Sequence, residues 1–361
     1  MAIDLAAVFK LNLAGFNLRR GVSLMAVMVV PLVVLGVLGQ GQYWLSVAFG
    51  AAFVGLSDPG GDYAYRVPRL AAVAVTGAVL TALGFVSGAG GWGWVVLAAF
   101  VITLLASLAV KYGLHRFAAA GLLNIWFVIA LALPAADQAS HVHTSAGAQA
   151  LAWLAGSALT IAYTCIVWLA RGRKVQPQPA ADLLPGDTTP VPLTRPVIGF
   201  AVLRAAAVAI ATAIAFGLHL PDADWMPIAT LVAMKPSLQQ SALVAAQRLA
   251  GAIIGAATAA LFLLTIDSKI TLAVLIVILS ALANSIRAVN YAWYCAAVAA
   301  EVLTGMGLPH PSGLANEARR IAFTFAGVLI AVVTTFLADR LARRRPAEAQ
   351  PGPAAPAGKG G

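Results

Sequence analysis

The side chains of this sequence with most scope for chemistry are a few polar and charged residues within or beside long apolar runs. Glu301 lies in the middle of the run 290–308. An isolated carboxylate there is costly when ionised, so we expect Glu301 to be paired or protonated. A protonatable group would be a candidate proton carrier; the alternatives are a structural hydrogen bond or a position near the outer interface. Asn124 lies at a similar depth in the run 117–134, so a polar residue occurs at this depth in the first half as well.

Positive side chains suggest a second chemistry, the attraction of an organic anion. Lys235 and Arg248 lie on the side predicted to be cytoplasmic. Arg319 and Arg320 begin the predicted last helix on the opposite side, and helix N-termini already favour negative charge. Pairing with Glu317 or with headgroup phosphate is the alternative for these two arginines.

Arg204 lies inside the run 199–219, one or two turns from its start. A long arginine side chain can extend along a helix to keep its charge in water. We therefore expect Arg204 to reach the cytoplasm rather than to line a pore.

The elements that would position these residues include two short, interrupted runs. The run 42–57 meets Asp58-Pro59-Gly60-Gly61, and the run 225–234 meets Lys235-Pro236. Ten helical residues rise about 15 Å, half of the hydrocarbon thickness. Proline-interrupted spans at matching places in two halves indicate a transport site, although ordinary tight turns are the alternative. Asp58 and Lys235 have opposite charge and are a candidate pair.

Tryptophan precedes both short runs, as Trp44 and Trp225. Anchoring at the membrane interface is the usual role of tryptophan there. An aromatic wall for a planar substrate is the alternative role.

The sequence contains no recognisable catalytic or cofactor motif. Cys165 and Cys295 both lie in apolar runs and form neither a disulfide framework nor a metal-ligand spacing. His141 and His143 lie in a predicted outer loop without further ligands nearby, and a zinc site needs three or four. We predict a protein that is not an enzyme and that binds no metal or cofactor.

Composition places the chain in a membrane. Hydrophobic residues make up 61% of the 361, charged residues 10%, and the mean hydropathy is +0.89. A soluble domain of this length would have no way to bury so much apolar surface. Twelve apolar runs are candidate spans, at 21–39, 42–57, 69–88, 92–110, 117–134, 148–170, 199–219, 225–239, 245–266, 270–286, 290–308 and 320–341.

The charge distribution predicts the orientation. With a cytoplasmic N-terminus, 20 of the 23 Lys and Arg residues fall inside, and Lys269, Arg319 and Arg320 fall outside. The net charge of +10 is therefore a topology signal, and we predict no nucleic-acid partner. The expected location is the bacterial inner membrane, with both termini cytoplasmic.

The chain also repeats itself. Trp44, followed by Arg69-Leu70-Ala71, matches Trp225, followed by Arg248-Leu249-Ala250. Six spans in each half give two parallel repeats. The predicted segments are a cytoplasmic N-terminal segment at 1–20, a first repeat at 21–173, a Pro-rich cytoplasmic linker at 174–196, a second repeat at 197–342 and a disordered cytoplasmic tail at 343–361.

These residues carry a resemblance. Trp225-Met226-Pro227, Lys235-Pro236-Ser237 and Arg248-Leu249-Ala250-Gly251 with Gly255 resemble the core motif of the FUSC family, bacterial inner-membrane proteins of fusaric acid resistance and aromatic acid export. Arg287, Tyr291 and the stretch 316–320 with Gly327 are similar to its second motif. The first half resembles the family more weakly. The resemblance implies efflux of aromatic or other organic acids, and plant malate channels are distant relatives.

We therefore predict an all-α, polytopic inner-membrane protein with about twelve transmembrane helices in two parallel six-helix repeats. Its expected function is efflux of aromatic or other organic carboxylates or small toxic compounds, with proton coupling through Glu301. The alternatives are a passive organic-anion channel and a non-transporting membrane scaffold. Expected partners are the organic anion and the lipid bilayer; a periplasmic adaptor protein and a second copy of the chain are candidates.

Overall fold

The structure is a computed structural model, and it describes residues 5–139, 144–170, 172–173, 190, 192–220, 225–234, 238–307 and 314–344. In these ranges the regular structure is helical, with no β-strand. The first half contains α1 (Leu5–Phe9), α2 (Leu18–Val37), α3 (Trp44–Leu56), α4 (Tyr63–Gly88), α5 (Trp92–Leu108), α6 (Leu114–Ala139) and α7 (Ala146–Ala170). The second half contains α8 (Arg195–Gly217), α9 (Trp225–Ala233), α10 (Leu238–Thr265), α11 (Lys269–Ile286), α12 (Tyr291–Gly307) and α13 (Leu314–Arg344).

The helices from α2 to α13 coincide one by one with the twelve apolar runs. Six of them, namely α4, α5 with its following turn, α6, α7, α8 and α10, are long and apolar enough to cross a membrane. Shorter apolar helices cover 41–56, 270–286 and 322–338. The chain is thus an all-helical, multi-pass membrane protein, and the full count of twelve spans stays a prediction.

The outer faces of the bundle are apolar. On α4, Val75, Val79, Leu83 and Val86 are all exposed and recur every three or four residues, which places them on one helix face. A stripe of this kind exposed to water would be unfavourable, whereas in lipid it is well solvated. The high hydropathy of the chain therefore reflects its outer surface as well as its core.

The second helix of each half is short. α3 has 13 residues and α9 has 9. At 1.5 Å per residue, α9 is about 14 Å long and spans about half of a bilayer core. Both breaks lie where the sequence analysis placed them.

The boundary of the last helix differs from the prediction. α13 begins at Leu314, six residues ahead of the predicted start at 320. Arg319 and Arg320 therefore lie in its second turn, where the backbone N–H groups are already used within the helix. The extra positive potential of a helix N-terminus is confined to the first turn, so the expectation that these arginines mark a helix start is wrong.

The two halves use the same helix pairs when α2 and α8 are counted as the first helices. In each half the second helix packs on the sixth (α3 on α7, α9 on α13), and the third packs on both the fifth and the sixth (α4 on α6 and α7, α10 on α12 and α13). The fourth helix packs on the fifth (α5 on α6, α11 on α12). The first helices are exchanged, because α8 packs on α5 and α2 packs on α11. Each half thus completes its packing with a helix from the other half.

Glycines allow the second and sixth helices to cross closely in both halves. A Cβ atom at Gly156 of α7 would overlap the carbonyl oxygen of Val47 in α3. A Cβ atom at Gly327 of α13 would overlap the carbonyl oxygen of Met226 in α9. Small residues at such crossings let helix backbones approach in a membrane.

The N-terminal segment is attached to the second half. The Asn290 side chain donates to the backbone oxygens of Val8, at 2.9 Å, and Lys10, at 3.0 Å. The Asn12 N–H donates to Val289 O at 2.9 Å. The segment therefore lies at the same end of the bundle as the α11–α12 turn, and both are on the side predicted to be cytoplasmic.

Of the predicted segments, the linker lies largely outside the described residues, as does the tail beyond residue 344.

Candidate functional site

The break after α3 is held by an ion pair. Asp58 Oδ1 accepts hydrogen bonds from Arg66 Nε at 2.8 Å and from the Gly60 N–H at 2.9 Å. Arg66 Nη2 donates to Asp58 Oδ2, so the guanidinium binds the carboxylate side-on. Gly60 and Gly61 have φ values of 66° and 76°, which favour glycine, and the turn depends on them. Asp58 thus organises this turn, with both of its oxygens engaged.

The break after α9 is contacted by Arg204 of α8. Arg204 Nη2 donates to the backbone oxygen of Leu231 at 3.0 Å, two residues before the end of α9. The last carbonyls of a helix lack intrahelical donors, and a cation is favourable at this negative end of the helix dipole. Lys235 and Pro236, which follow the break, lie outside the described residues. The proposed Asp58–Lys235 pair therefore also falls outside them.

Arg204 is buried, with 6% of its surface exposed. Its Nη1 atom donates to Ser107 Oγ in α5 at 3.3 Å, and its Cζ atom lies 5.6 Å from the centre of the Phe117 ring in α6. The expectation that Arg204 extends to the cytoplasm is wrong. The carbonyl of Leu231 and the hydroxyl of Ser107 hold its charge inside the bundle.

A line of polar groups continues from Arg204 along α5. Ser107 Oγ donates to Thr103 O at 2.7 Å, and Asn124 Nδ2 of α6 donates to Thr103 Oγ1 at 3.1 Å. Asn124 has no exposed surface. We call Arg204, Ser107, Thr103 and Asn124 the α5 polar track.

A similar cluster lies between α11 and α12. A side-chain hydrogen bond joins Glu301 of α12 to Ser280 of α11. Asn284 Nδ2 donates to Ser280 O at 2.9 Å. We call Ser280, Asn284 and Glu301 the α11 polar cluster. Glu301 is partly buried and hydrogen bonded, as one alternative in the sequence analysis expected.

Arg248 connects α10 to α12. Side-chain hydrogen bonds link it to Tyr291 and Cys295, and its buried Nε atom has no partner within the described residues. Arg248 therefore positions the start of α12 and keeps one buried donor unused.

The remaining predicted site residues lie near the ends of helices. Trp225 begins α9 and is partly exposed, while Arg319 of α13 is exposed. Arg320 also lies in α13, and its side chain is outside the described set. The structure thus distributes the predicted residues over several clusters, and each of Asp58, Asn124, Arg248 and Glu301 contacts partners that the sequence analysis did not select for the site.

Sequence reasoning missed Arg66, Thr103, Ser107 and Ser280 as site residues and assigned Arg204 to the membrane surface. The sequence did contain a signal for Arg204, because a charged residue inside an apolar run is usually functional. The hydroxyl residues had none, since serine and threonine are common in membrane helices.

No group of three or more His, Cys, Asp or Glu side chains able to hold a metal ion occurs among the residues described. His141 and His143 lie outside them.

Comparison with known families finds a match within the second half of the chain. Residues 210–334 match the model of the family described as fusaric acid resistance protein-like. The match runs from the middle of α8 into α13, and it includes both Arg248 and Glu301. It confirms the resemblance for this part of the chain, and the weaker resemblance of the first half stays a prediction. No curated protein and no solved structure matches the chain.

Proposed function

We propose, from the match of residues 210–334 to the fusaric acid resistance protein-like family, that the chain is a membrane transporter that exports organic carboxylates, aromatic acids among them. Export would take place across the bacterial inner membrane and would be coupled to protons. A multi-pass helical bundle with polar groups in its interior supports this assignment.

The observation that carries the proposal is the environment of Glu301. Its hydrogen-bond partner is the neutral hydroxyl of Ser280, and no basic side chain contacts it in the part of the chain that the structure describes. An ion pair would favour the ionised form of the carboxylate. A carboxyl group bonded to a hydroxyl can gain or lose a proton without breaking such a pair, as a proton carrier must.

The matched helix pairs of the two halves support a mechanism based on two parallel repeats. Parallel repeats are related by an axis along the membrane normal, and substrate sites of such transporters lie near the bilayer midplane between the repeats. The short α9, whose length corresponds to about half of a bilayer core, supports a site at that level.

Positive charge along the transport route would attract the anion. Lys235 and Arg248 are proposed for this role. Arg319, which is exposed, and Arg320 are proposed to contribute through their charge rather than through a helix terminus. Trp225 is proposed as an aromatic contact. A periplasmic adaptor protein and a second copy of the chain remain proposed partners.

Flux measurements in proteoliposomes test the proposal. Radiolabelled benzoate uptake is compared with and without an imposed pH gradient for the wild type, Glu301→Gln and the matched control Asp267→Asn, which alters an exposed carboxylate. We expect the gradient to accelerate flux in the wild type and in the control. Glu301→Gln keeps a side chain able to bond Ser280, so it should remain folded and carry benzoate down its own gradient without responding to pH.

Three outcomes would contradict parts of the proposal. Wild-type flux that ignores the pH gradient would overturn proton coupling. Flux that does not saturate with benzoate concentration would identify a passive organic-anion channel. Failure of the wild type to carry benzoate would overturn the transporter assignment and favour a membrane scaffold.

A further inference from the structure

We propose that Arg204 is the binding residue for the carboxylate group of the transported anion. The inference rests on the proposed function for the class of ligand, an organic monocarboxylate. The location itself comes from the contacts of Arg204, which lies between helices of the two halves.

Two buried arginines, Arg66 and Arg204, differ at one edge. Arg66 presents Nε and Nη2 to Asp58, and the carboxylate binds both atoms side-on. Arg204 has the same fork of donors, yet its buried Nε atom has no partner within the described residues. Arg66 thus shows the geometry in which a carboxylate binds such an edge, and a ligand carboxylate could bind Arg204 in the same way.

The energetics favour an anion at this edge. A guanidinium has five N–H donors in a fixed plane and matches a carboxylate with two parallel hydrogen bonds. A buried donor without a partner destabilises the protein, and a buried charge without an opposite charge does so more strongly. No acidic side chain contacts Arg204 in the described ranges. A carboxylate ligand would supply both a hydrogen-bond acceptor for Nε and the missing negative charge.

The neighbours of Arg204 fix its orientation. Leu231 O holds Nη2, Ser107 Oγ holds Nη1, and the Phe117 ring covers one face of the guanidinium at 5.6 Å. Since a face of the plane is occupied, an anion would approach in the plane, along the Nε edge. Four helices, α5, α6, α8 and α9, contribute to this arrangement.

The location suits a transport site. α5 and α6 belong to the first half and α8 and α9 to the second, and the contact lies beside the break of the short α9. An anion bound to Arg204 would compete for the guanidinium with the backbone carbonyl of Leu231. Binding would therefore alter the contact that joins α8 to α9.

The test is a comparison of thermal unfolding with benzoate and benzamide, which share a ring and differ in charge. The purified full-length protein is titrated with each at constant ionic strength. We expect benzoate to raise the Tm of the wild type more than benzamide does. Arg204→Lys keeps a positive charge able to bond Leu231 O but loses the side-on pair, so its affinity for benzoate should fall about tenfold or more.

Matched variants separate binding from folding. Arg195→Gln alters an exposed arginine on the same helix and should preserve the difference between benzoate and benzamide. Ser107→Ala removes one support of the guanidinium and should weaken benzoate binding less than Arg204→Lys. Arg204→Gln should abolish the difference in Tm between benzoate and benzamide. If Arg204→Gln does not fold, the result for Arg204→Lys decides whether Arg204 binds the carboxylate.

The outcomes distinguish this inference from the proposed function. Equal benzoate affinity in the wild type and in a folded Arg204→Lys variant would overturn the role of Arg204 and leave the transporter proposal intact. A wild type that benzoate stabilises no better than benzamide would also overturn it. Benzoate binding that depends on Arg204, without any flux in proteoliposomes, would overturn transport but support the binding site.

Discussion

Asn124 and Glu301 are separated by 177 residues, and each is hydrogen bonded to a hydroxyl side chain that precedes it by 21 residues. The hydroxyl belongs to Thr103 in one case and to Ser280 in the other. Four residues after each hydroxyl, Ser107 and Asn284 donate to the backbone oxygens of Thr103 and Ser280. The same local arrangement therefore contains a neutral amide in the first half and an ionisable carboxyl group in the second.

This relationship predicts the result of exchanging the two side chains. If protons are carried at Glu301 and the two places are equivalent, Asn124→Glu should restore part of the pH-driven benzoate flux that Glu301→Gln loses. The measurement is flux in proteoliposomes for both single variants and for the double variant. A stable, folded double variant with no more pH response than Glu301→Gln alone would contradict the equivalence.

The topology prediction concerns the connections between helices. In a background with Cys165 and Cys295 replaced, single cysteines at Asp187 in the linker and at Ala357 in the tail should be labelled by a membrane-impermeant maleimide only from the cytoplasmic side. A cysteine at Ser140 should be labelled from the outside. Labelling of the linker from the outside would contradict the charge argument and the parallel arrangement of the halves.

The Asp58–Arg66 ion pair predicts an asymmetric response to mutation. Asp58→Asn leaves the buried guanidinium of Arg66 without its counter-charge, and removing one partner of a buried pair costs about 3–5 kcal/mol. Replacing both residues together, with Asp58→Asn and Arg66→Leu, should be less destabilising than Asp58→Asn alone. The check is thermal stability in detergent, with Arg69→Leu as a control at an exposed position on the same helix. Additive effects of the two substitutions would show that the pair contributes little.

The crossings of the second and sixth helices predict a steric effect at two glycines. Gly156→Ala and Gly327→Ala each place a methyl group against a backbone carbonyl, and overpacking of this kind costs about 1–3 kcal/mol. Gly147→Ala is the matched control on α7, because no atom lies within 4 Å of a Cβ added there. The measurement is the shift of thermal unfolding for each variant. Because alanine favours a helix more than glycine does, the control should be neutral or slightly stabilised. A Gly156→Ala variant as stable as the Gly147→Ala control would contradict the steric argument.

Much of the helical framework could be predicted because hydropathy reports membrane insertion directly. The apolar runs predict α2 to α13 in their observed order, although α4 begins six residues and α10 seven residues ahead of the predicted starts. Pro236 and the Asp58-Pro59-Gly60-Gly61 stretch mark the breaks after α9 and α3. The start of α13 was misplaced because polar residues such as Asn316 and Glu317 extend a helix beyond the hydrophobic run that reveals it. Hydropathy shows where a helix is apolar and says less about where it begins.

The partners of the polar residues were harder to predict. Arg204 bonds Leu231 and Ser107, which are 27 and 97 positions away in the sequence. Such contacts depend on which helices pack together, and a single sequence gives only the faces of each helix. Arg66 was interpreted as a topology charge because the rule for positive residues counts charges without asking where their side chains point. The polar depth shared by Asn124 and Glu301 was visible, since it requires only position along each run.

The exchange of first helices affects how this protein is made. As a predicted span, α2 would enter the membrane early in synthesis, yet its contact on α11 does not exist until the ribosome has passed residue 286. During most of translation that face of α2 must rest on lipid or on the insertion machinery, and contacts between segments so distant form slowly. α8, by contrast, finds α5 already in place. A chain cut in the linker would leave an N-terminal fragment whose first helix lacks its partner and a C-terminal fragment with the complementary defect, so the two should be stable only when produced together.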